Sequence, residues 1–217
     1  MSLKSLLTGV VKPRGKSAFF NQLSPDCHVL DVGCGNDSPL LFKTRFPDGH
    51  YTGVDVSDYR HSVPIMADAY HVTTPAGFAP KIAEFDAEFD AVTSSHNLEH
   101  CNDREATLAA MAKALKPGGL LYLSFPSQAS SGFPSRKGTL NYRDDATHID
   151  EPPQLDHTVQ ILKSHGLQIL FMVDCYRPLL LRVLGGMRER KSKTLNQVMT
   201  GTWEYYGFES IIWAVKR

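Results

Sequence analysis

The stretch VLDVGCGN, residues 29–36, decides the fold of this chain. A short apolar run typical of a buried strand leads directly into a turn with two glycines, Gly33 and Gly35. Glycine permits positive φ and lets the backbone approach a ligand, because it has no Cβ. Asp55 stands twenty positions after Gly35, at the end of a second apolar run, where a carboxylate can accept both hydroxyls of a ribose. This combination predicts a site for a nucleoside-containing cofactor.

Short apolar runs alternate with helical patterns from Cys27 onward, which predicts an α/β fold with a largely parallel sheet. A capping pattern at Asn102 and Glu105 opens one helix, and the turn KPGG at 116–119 ends it. A second helix is predicted over about 155–165. The seven predicted strands are residues 28–32, 51–54, 63–67, 89–94, 120–124, 167–173 and 210–215.

The composition favours a single domain without a strong overall charge. The 217 residues, 42% of them hydrophobic, suit one sizeable core. Because 23 basic side chains balance 23 acidic ones, we expect no nucleic-acid partner bound through a broad basic face. The first residues lack a signal-peptide pattern, and no apolar run is long enough to span a membrane, so we expect a cytoplasmic protein. The expected division of the domain 1–217 is a helical brace at 1–26, a cofactor-binding core at 27–126 and an acceptor-side region at 127–217.

The glycine turn departs from the fingerprint of dinucleotide-binding proteins. That fingerprint needs a third small residue, Gly or Ala, where this chain has Ser38. Asp31, two positions before Gly33, suits a cationic ammonium group better than a pyrophosphate. The turn therefore favours a cofactor with an amino-acid end. A nucleotide-binding oxidoreductase of the NAD type is the first alternative.

In order and spacing, these motifs resemble those of class I S-adenosylmethionine-dependent methyltransferases. The acid-x-Gly-x-Gly pattern of that family is met by Asp31, Gly33 and Gly35, and its ribose-binding acid by Asp55. The resemblance covers roughly 27–126. It implies a Rossmann-like sheet of seven strands in the order 3-2-1-4-5-7-6, with the last strand antiparallel and helices on both faces.

The resemblance also implies the cofactor and the residues that bind it. S-adenosylmethionine would lie over the carboxyl ends of the strands and leave as S-adenosylhomocysteine. The segment ADA at 67–69 is similar to the family's adenine-side position, and FDAVTSSHNLEH at 89–100 to its fourth-strand motif. The cofactor-binding residues expected on this basis are Asp31, Gly33, Cys34, Gly35, Asp55, Val56, Asp68, Ala69, Ser94 and Ser95.

A general base can assist methyl transfer to a hydroxyl, and histidine is the side chain best suited to that near neutral pH. His96 follows the predicted fourth strand, and His148 lies after the fifth, with Asp145 three positions away to orient it. These three are the predicted catalytic residues. The segments 140–148 and 206–213 are similar to bacterial methyltransferases found with polysaccharide-biosynthesis genes. The expected acceptor is therefore a small molecule or a glycan.

Two further alternatives remain open. The run HNLEH, residues 96–100, matches the H-x-x-E-H motif of inverted zinc proteases, in which His96 and His100 would share a helix face. A zinc hydrolase is thus the second alternative, and an S-adenosylmethionine-binding protein without turnover is the third. Because HNLEH falls within the methyltransferase-like fourth-strand segment, we expect no metal.

The segment 177–199 carries a marked excess of positive charge. Six basic side chains against one acid, Glu189, give a local charge of +5 in a neutral chain. One hypothesis is a weak peripheral contact with an anionic membrane through 177–193. The simpler prediction, which we favour, is a helix that packs its leucines onto the sheet and leaves its arginines in solvent.

Overall fold

The computed structural model describes residues 11–58 and 66–217, and among them seven strands form one sheet in the order β3-β2-β1-β4-β5-β7-β6. Strand β7 is antiparallel to both β5 and β6, and the other pairings are parallel. The predicted topology is therefore confirmed. The strands are β1 His28–Val32, β2 His50–Asp55, β3 Ala69–Val72, β4 Phe89–Ser95, β5 Leu115–Pro126, β6 Leu167–Val173 and β7 Glu209–Lys216.

Helices cover both faces of this sheet. They are α1 Lys16–Phe19, α2 Ser38–Arg45, α3 Phe78–Ile82, α4 Arg104–Ala114, α5 Leu155–Ser164, α6 Leu179–Leu195 and α7 Thr202–Tyr206. One buried cluster joins α3, α4 and α5 to the sheet, and a second joins α1 and α2 to it. Along β7, Ile212 belongs to the first cluster and its neighbours Ile211 and Trp213 to the second. Since successive side chains of a strand point to opposite faces, the two clusters lie on opposite sides.

Double burial explains why β1 is recognisable from sequence. Val29, Leu30 and Val32 are all fully buried. A strand covered on both faces reads as a continuous apolar run rather than an alternating one. In the parallel register, Val32 pairs with Val54 of β2 and with Ser94 of β4. The carboxyl ends of these three central strands therefore meet at one edge of the sheet.

Three local predictions differ from the structure. The predicted third strand at 63–67 lies mostly outside the described residues, and the strand that pairs with β2 is Ala69–Val72. Helix α4 is capped by Asp103 rather than Asn102, because the Asp103 carboxylate accepts a hydrogen bond from the Ala106 N–H at 2.9 Å. Of the predicted brace at 1–26, the first ten residues lie outside the described part of the chain.

Helix α6 contradicts the prediction that its leucines pack onto the sheet. Gly185 and Ser192 are the residues of α6 that are buried, and a Cβ on Gly185 would lie only 1.9 Å from the carbonyl oxygen of Gly201. Helix α6 therefore packs closely against the start of α7, and three of its five leucines are exposed: Leu179 by 72%, Leu180 by 59% and Leu195 by 53%. Within residues 11–58 and 66–217, no helix is both long and apolar enough to cross a membrane.

Candidate functional site

The glycine turn after β1 requires both of its glycines, for different reasons. Gly33 and Gly35 have φ of +70° and +60°, a region that L side chains rarely adopt. A Cβ on Gly33 would lie 2.2 Å from the Oδ1 atom of Asn97, so the loop after β4 fills the space beside it. A Cβ on Gly35 would meet nothing within 4 Å. The backbone at Gly35 is therefore an open cradle that a ligand can approach.

Asp55 stands at the rim of this cradle, at the end of β2. Its carboxylate accepts hydrogen bonds from the backbone N–H groups of Gly35 at 2.8 Å, Val56 at 2.7 Å and Ser57 at 3.3 Å. Asp55 is only 5% exposed. These contacts fix the carboxylate beside the turn, where the sequence predicts a group that accepts the hydroxyls of a ribose.

A cavity of about 620 Å³, called here the turn cavity, lies over these residues. Its volume falls within the range of about 300–1,000 Å³ that is common for small-molecule sites. Six of the ten predicted cofactor residues line it, namely Gly33, Cys34, Gly35, Asp55, Val56 and Ser95. A cavity of similar volume between α4 and α5 shares Asn102 with it but has no part of the glycine turn in its lining.

Asp31 and Ser94 lie beneath the turn cavity rather than in its lining. The Asp31 carboxylate accepts hydrogen bonds from the Lys16 ammonium, the Tyr51 hydroxyl and the Thr93 hydroxyl at 2.8–3.0 Å. Ser94 is fully buried and donates to the carbonyl oxygen of Val32. Neither residue lines the turn cavity, so their contact with the cofactor stays a prediction; in this structure the cation beside Asp31 is the protein's own Lys16.

Asp68 and Ala69 lie near the amino ends of the strands, at the opposite end from the glycine turn. Ala69 begins β3, and Asp68 accepts a hydrogen bond from the Tyr51 N–H and pairs with Lys43 at 2.7 Å. Burial acts against ionisation, but the hydrogen bonds from Lys43 and the Tyr51 N–H, together with the charge of Lys43, outweigh it and lower the pKa of Asp68. The sequence prediction fails because it places this segment after the third strand. The loop that follows β3 instead brings Pro75 into the lining of the turn cavity.

A smaller inner cavity of about 210 Å³ adjoins the turn cavity, and both are lined by Lys16, Ser95 and His96. The rest of its lining includes Glu209. The Ser95 hydroxyl oxygen is buried and has no hydrogen-bond partner among the described residues. Buried hydroxyl groups are normally hydrogen-bonded, so an unpartnered one at this junction marks a place where a ligand can supply the missing bond.

His96 forms the wall between the two cavities and is held by two carboxylates. Its Nε2 lies 2.9 Å from Glu209 Oε1, and its Nδ1 lies 3.3 Å from Glu99 Oε1. Burial acts to lower the pKa of His96, but hydrogen bonds to both carboxylates raise it to about 9. Burial likewise opposes ionisation of Glu209, yet its contacts with His96 and Lys12 lower its pKa to about 2. Both ring nitrogens of the predicted base are thus already engaged.

His148 and Asp145 line neither cavity, so this geometry gives no support to their predicted role as an acceptor-facing base and its orienting acid. The His148 side chain is 6% exposed, stacks on the ring of Tyr142, and places Nδ1 2.6 Å from the Tyr142 carbonyl oxygen. The Asp145 carboxylate accepts hydrogen bonds from the N–H and the hydroxyl of Thr147. It approaches His148 Nε2 only to 3.9 Å.

The helix face required by the zinc-protease motif is also absent from this part of the described chain. His96 has φ of +50°, and only the short 3-10 turn Leu98–His100 follows it. His96 and His100 therefore do not stand one turn apart on a helix, and the prediction of that arrangement is wrong.

Several lining residues were missed because they come from distant parts of the chain. Lys12 and Lys16 precede β1, whereas Glu209 begins β7, and the Lys12 ammonium nevertheless contacts the Glu209 carboxylate across 197 positions of sequence. No spacing rule connects such residues. Asn97 could have been predicted as a lining residue, because the loop after β4 must pass the glycine turn when β1 and β4 are neighbours in a parallel sheet.

Comparisons with known proteins agree with this geometry. A family model described as a methyltransferase domain matches residues 11–170. An O-methyltransferase of Pyrenophora dematioidea is 26% identical over 178 residues, covering 77% of this chain and 63% of that protein. A ubiquinone biosynthesis O-methyltransferase of Aromatoleum aromaticum is 35% identical over 104 residues, covering 44% of this chain and 42% of that protein. The chain thus spans less than two thirds of the length of these relatives.

Solved structures support the fold. The chain is similar to an S-adenosylmethionine-dependent methyltransferase from Mesorhizobium loti, with a TM-score of 0.61, 15% identity, and coverage of 92% of this chain and 96% of that one. A similar match is a methyltransferase from Archaeoglobus fulgidus, with a TM-score of 0.58, 18% identity, and coverage of 99% and 100%.

Proposed function

Because the chain belongs to the methyltransferase-domain family, we propose that it transfers a methyl group from S-adenosylmethionine to a hydroxyl group of a small-molecule or glycan acceptor. The observation that carries the proposal is the open cradle at Gly35 beside the fixed carboxylate of Asp55, in a cavity that continues into a second one. The family match favours this function over an NAD-type oxidoreductase.

The residues around the turn cavity fit the chemical groups of S-adenosylmethionine. The Asp55 carboxylate would accept the ribose hydroxyls, and the backbone at Gly35 would lie against the cofactor without a Cβ between them. The Lys16 ammonium lines the cavity and would pair with the carboxylate at the amino-acid end. The cofactor supplies a methyl group activated by a sulfonium centre. The protein's main task is then to align an acceptor and to exclude water.

We assign the acceptor to the inner cavity. Its wall contains His96, the only predicted catalytic residue that lines a cavity, together with the Glu209 carboxylate. An acceptor hydroxyl would donate a hydrogen bond to Glu209, which Lys12 and His96 keep anionic. His96 would hold Glu209 in position at the junction of the two cavities, where the acceptor hydroxyl would meet the methyl group of the cofactor. In this proposal residues 27–126 supply most of the cofactor site, whereas the inner cavity combines residues of the segment 12–17 with residues at the ends of β4 and β5 and with Glu209 of β7.

Oxygen as the acceptor atom is supported by the names of two relatives, both O-methyltransferases. The finer class, a bacterial methyltransferase acting on a glycan, rests on the sequence segments 140–148 and 206–213. A screen with radiolabelled methyl donor against nucleotide sugars, glycans and hydroxylated metabolites tests both points. Transfer to nitrogen or carbon alone would refute the hydroxyl assignment.

The cofactor assignment is tested by calorimetric titration of S-adenosylhomocysteine. Asp55→Asn should weaken binding by about 10–100-fold, since a charged acceptor of ribose hydrogen bonds is lost. Asp68→Asn is the matched control, because Asp68 lies near the amino ends of the strands, away from the glycine turn, and its replacement should leave the affinity unchanged. Wild-type protein that fails to bind, or equal losses in the two variants, would overturn the assignment.

We also propose a weak peripheral contact between α6 and an anionic membrane surface. The outward residues Leu179, Leu180, Val183 and Met187 are each more than half exposed. They share the helix with basic side chains, which complement anionic lipid headgroups. Co-sedimentation with anionic vesicles at low salt should be lost in Leu179→Gln/Met187→Gln and retained in Leu41→Gln, which removes an equally exposed leucine from α2. Equal sedimentation of both variants would exclude α6 as the contact.

A further inference from the structure

A cluster of three potential metal ligands lies beside the turn cavity and contacts His96 through Glu99. Glu99 offers one carboxylate oxygen, and His100 and His148 offer one ring nitrogen each, and these atoms all lie within 4.8 Å of one another. Two imidazoles and one carboxylate form a donor set that binds zinc and other divalent transition metals, and it leaves coordination positions open for a substrate oxygen. His100 also lines the turn cavity, so such open positions would adjoin it.

The state of Glu99 is the second observation that points to a ligand. Glu99 is 1% exposed, and while its Oε1 faces His96, its buried Oε2 has no hydrogen-bond partner among the residues that the structure describes. Buried carboxylate oxygens are normally paired or coordinate a metal, because the desolvated charge is otherwise uncompensated. A cation between Glu99 and the two histidines would supply the missing partner.

The contacts of the two histidines leave one nitrogen of each ring, Nε2, available to a metal. His148 Nδ1 lies 2.6 Å from the Tyr142 carbonyl oxygen, and His100 Nδ1 lies 3.2 Å from the carbonyl and 3.0 Å from the hydroxyl of Thr147. Because a carbonyl oxygen can only accept, each Nδ1 carries the proton and each Nε2 presents its lone pair. The Thr147 hydroxyl in turn donates to Asp145 at 2.6 Å. Backbone carbonyls of this kind commonly orient metal-binding histidines.

We propose that Glu99, His100 and His148 bind a divalent transition-metal cation at the edge of the turn cavity. This ligand set differs from the H-x-x-E-H motif, since His148 takes the place of His96. Asp145 and Thr147 are then positioning residues that hold His100. The cation's open coordination positions would bind an oxygen atom of the molecule that occupies the turn cavity, which His100 lines. That this molecule is the cofactor rests on the proposed function, whereas the existence of the metal site does not.

The experiment is calorimetric titration of Zn²⁺, Mn²⁺ and Mg²⁺, each alone, into the full chain after treatment with a chelator. We expect one equivalent of Zn²⁺ or Mn²⁺ to bind, more tightly than Mg²⁺. Glu99→Gln and His148→Gln should each weaken binding by at least about 100-fold, and Thr147→Val by about tenfold. His157→Gln is the matched control, because His157 is an exposed histidine 3.0 Å from the Glu105 carboxylate and outside the cluster.

The result that overturns the site is wild-type protein that binds no equivalent of metal, or binding that His157→Gln weakens as much as His148→Gln does. Thermal melting of each metal-free variant identifies folding defects, and Thr147→Val keeps all three ligands should Glu99→Gln fail to fold. Titration of S-adenosylhomocysteine into metal-free protein separates the two proposals. Cofactor binding without metal binding refutes the metal site alone, and metal binding without cofactor binding refutes the proposed function alone.

Discussion

Replacement of Asp31 by Asn tests whether this carboxylate supports the site or contacts the cofactor. The Asp31 side chain is 2% exposed and accepts bonds from Lys16 through both oxygens, from Tyr51 and from Thr93. Asn keeps one accepting oxygen but turns an NH₂ group toward the donors on the other side and leaves the Lys16 charge unpaired. Breaking a buried pair in this way costs about 3–5 kcal/mol. For a domain of this size we expect the melting temperature to fall by about 6–20 °C.

The assay is urea and thermal unfolding of Asp31→Asn beside a matched control, Asp90→Asn. Like Asp31, Asp90 pairs with a lysine, Lys116, and it accepts a second hydrogen bond, from the backbone N–H of His28. The side chains of Asp90 and Lys116, however, are 43% exposed. Such a pair contributes about 1 kcal/mol or less. Equal losses in the two variants would refute the argument from burial. Wild-type stability of Asp31→Asn with a loss of S-adenosylhomocysteine affinity would make Asp31 a cofactor contact.

Three further predictions concern the acceptor side and its supporting helices. Glu209→Gln should remove about 3 kcal/mol of stability at neutral pH, because the folded-state pKa of Glu209, about 2, lies below its ordinary value of 4.5. That contribution is present above pH 4.5 and is lost as the pH falls through 2, so urea unfolding should show the variant and the wild type converging in acid. Gly185→Ala should lower the melting temperature, since its Cβ would overlap the Gly201 carbonyl, whereas Gly186→Ala should be tolerated better. His96→Gln should lower kcat by about 100-fold in a methyl-transfer assay, because Glu209 loses the group that positions it, while changing S-adenosylhomocysteine affinity less than tenfold.

Each of these predictions has a contrary outcome. A stability difference between Glu209→Gln and wild type that stays constant between pH 6 and acid would contradict the depressed pKa. Equal melting temperatures for the Gly185 and Gly186 variants would show that α6 does not depend on close approach to Gly201. Unchanged turnover in His96→Gln would remove His96 from the acceptor wall.

The cofactor side could be predicted from sequence because its determinants are local. The two glycines, Gly33 and Gly35, predict a turn by their residue type alone. Asp55 ends the next strand, and the parallel register of β1 and β2 brings the ends of these strands together. Asp68 is an exception on this side. Its segment resembles a short motif that follows the third strand, but Asp68 precedes β3 and therefore lies at the amino ends of the strands, away from the glycine turn.

The acceptor side could not be predicted because its residues meet only through the fold. Lys12 and Glu209 come from opposite ends of the chain, and β7 brings them together by inserting between β5 and β6. His148 had the right residue type, but the backbone carbonyl and the stacked ring of Tyr142 hold its imidazole outside the lining of both cavities. Such contacts depend on tertiary packing, which leaves no periodic signal in sequence.

In the loop after β4, one backbone conformation directs polar residues that are neighbours in sequence to different sites. His96 adopts φ of +50°, which is costly for a residue with a Cβ and persists only where its surroundings fix it. Here Glu99 and Glu209 fix the ring, and Asn97 fills the space beside Gly33. The chain direction therefore changes between His96 and the short turn that follows. Consecutive polar residues then face different neighbours: the acceptor wall, the glycine turn and the proposed metal cluster.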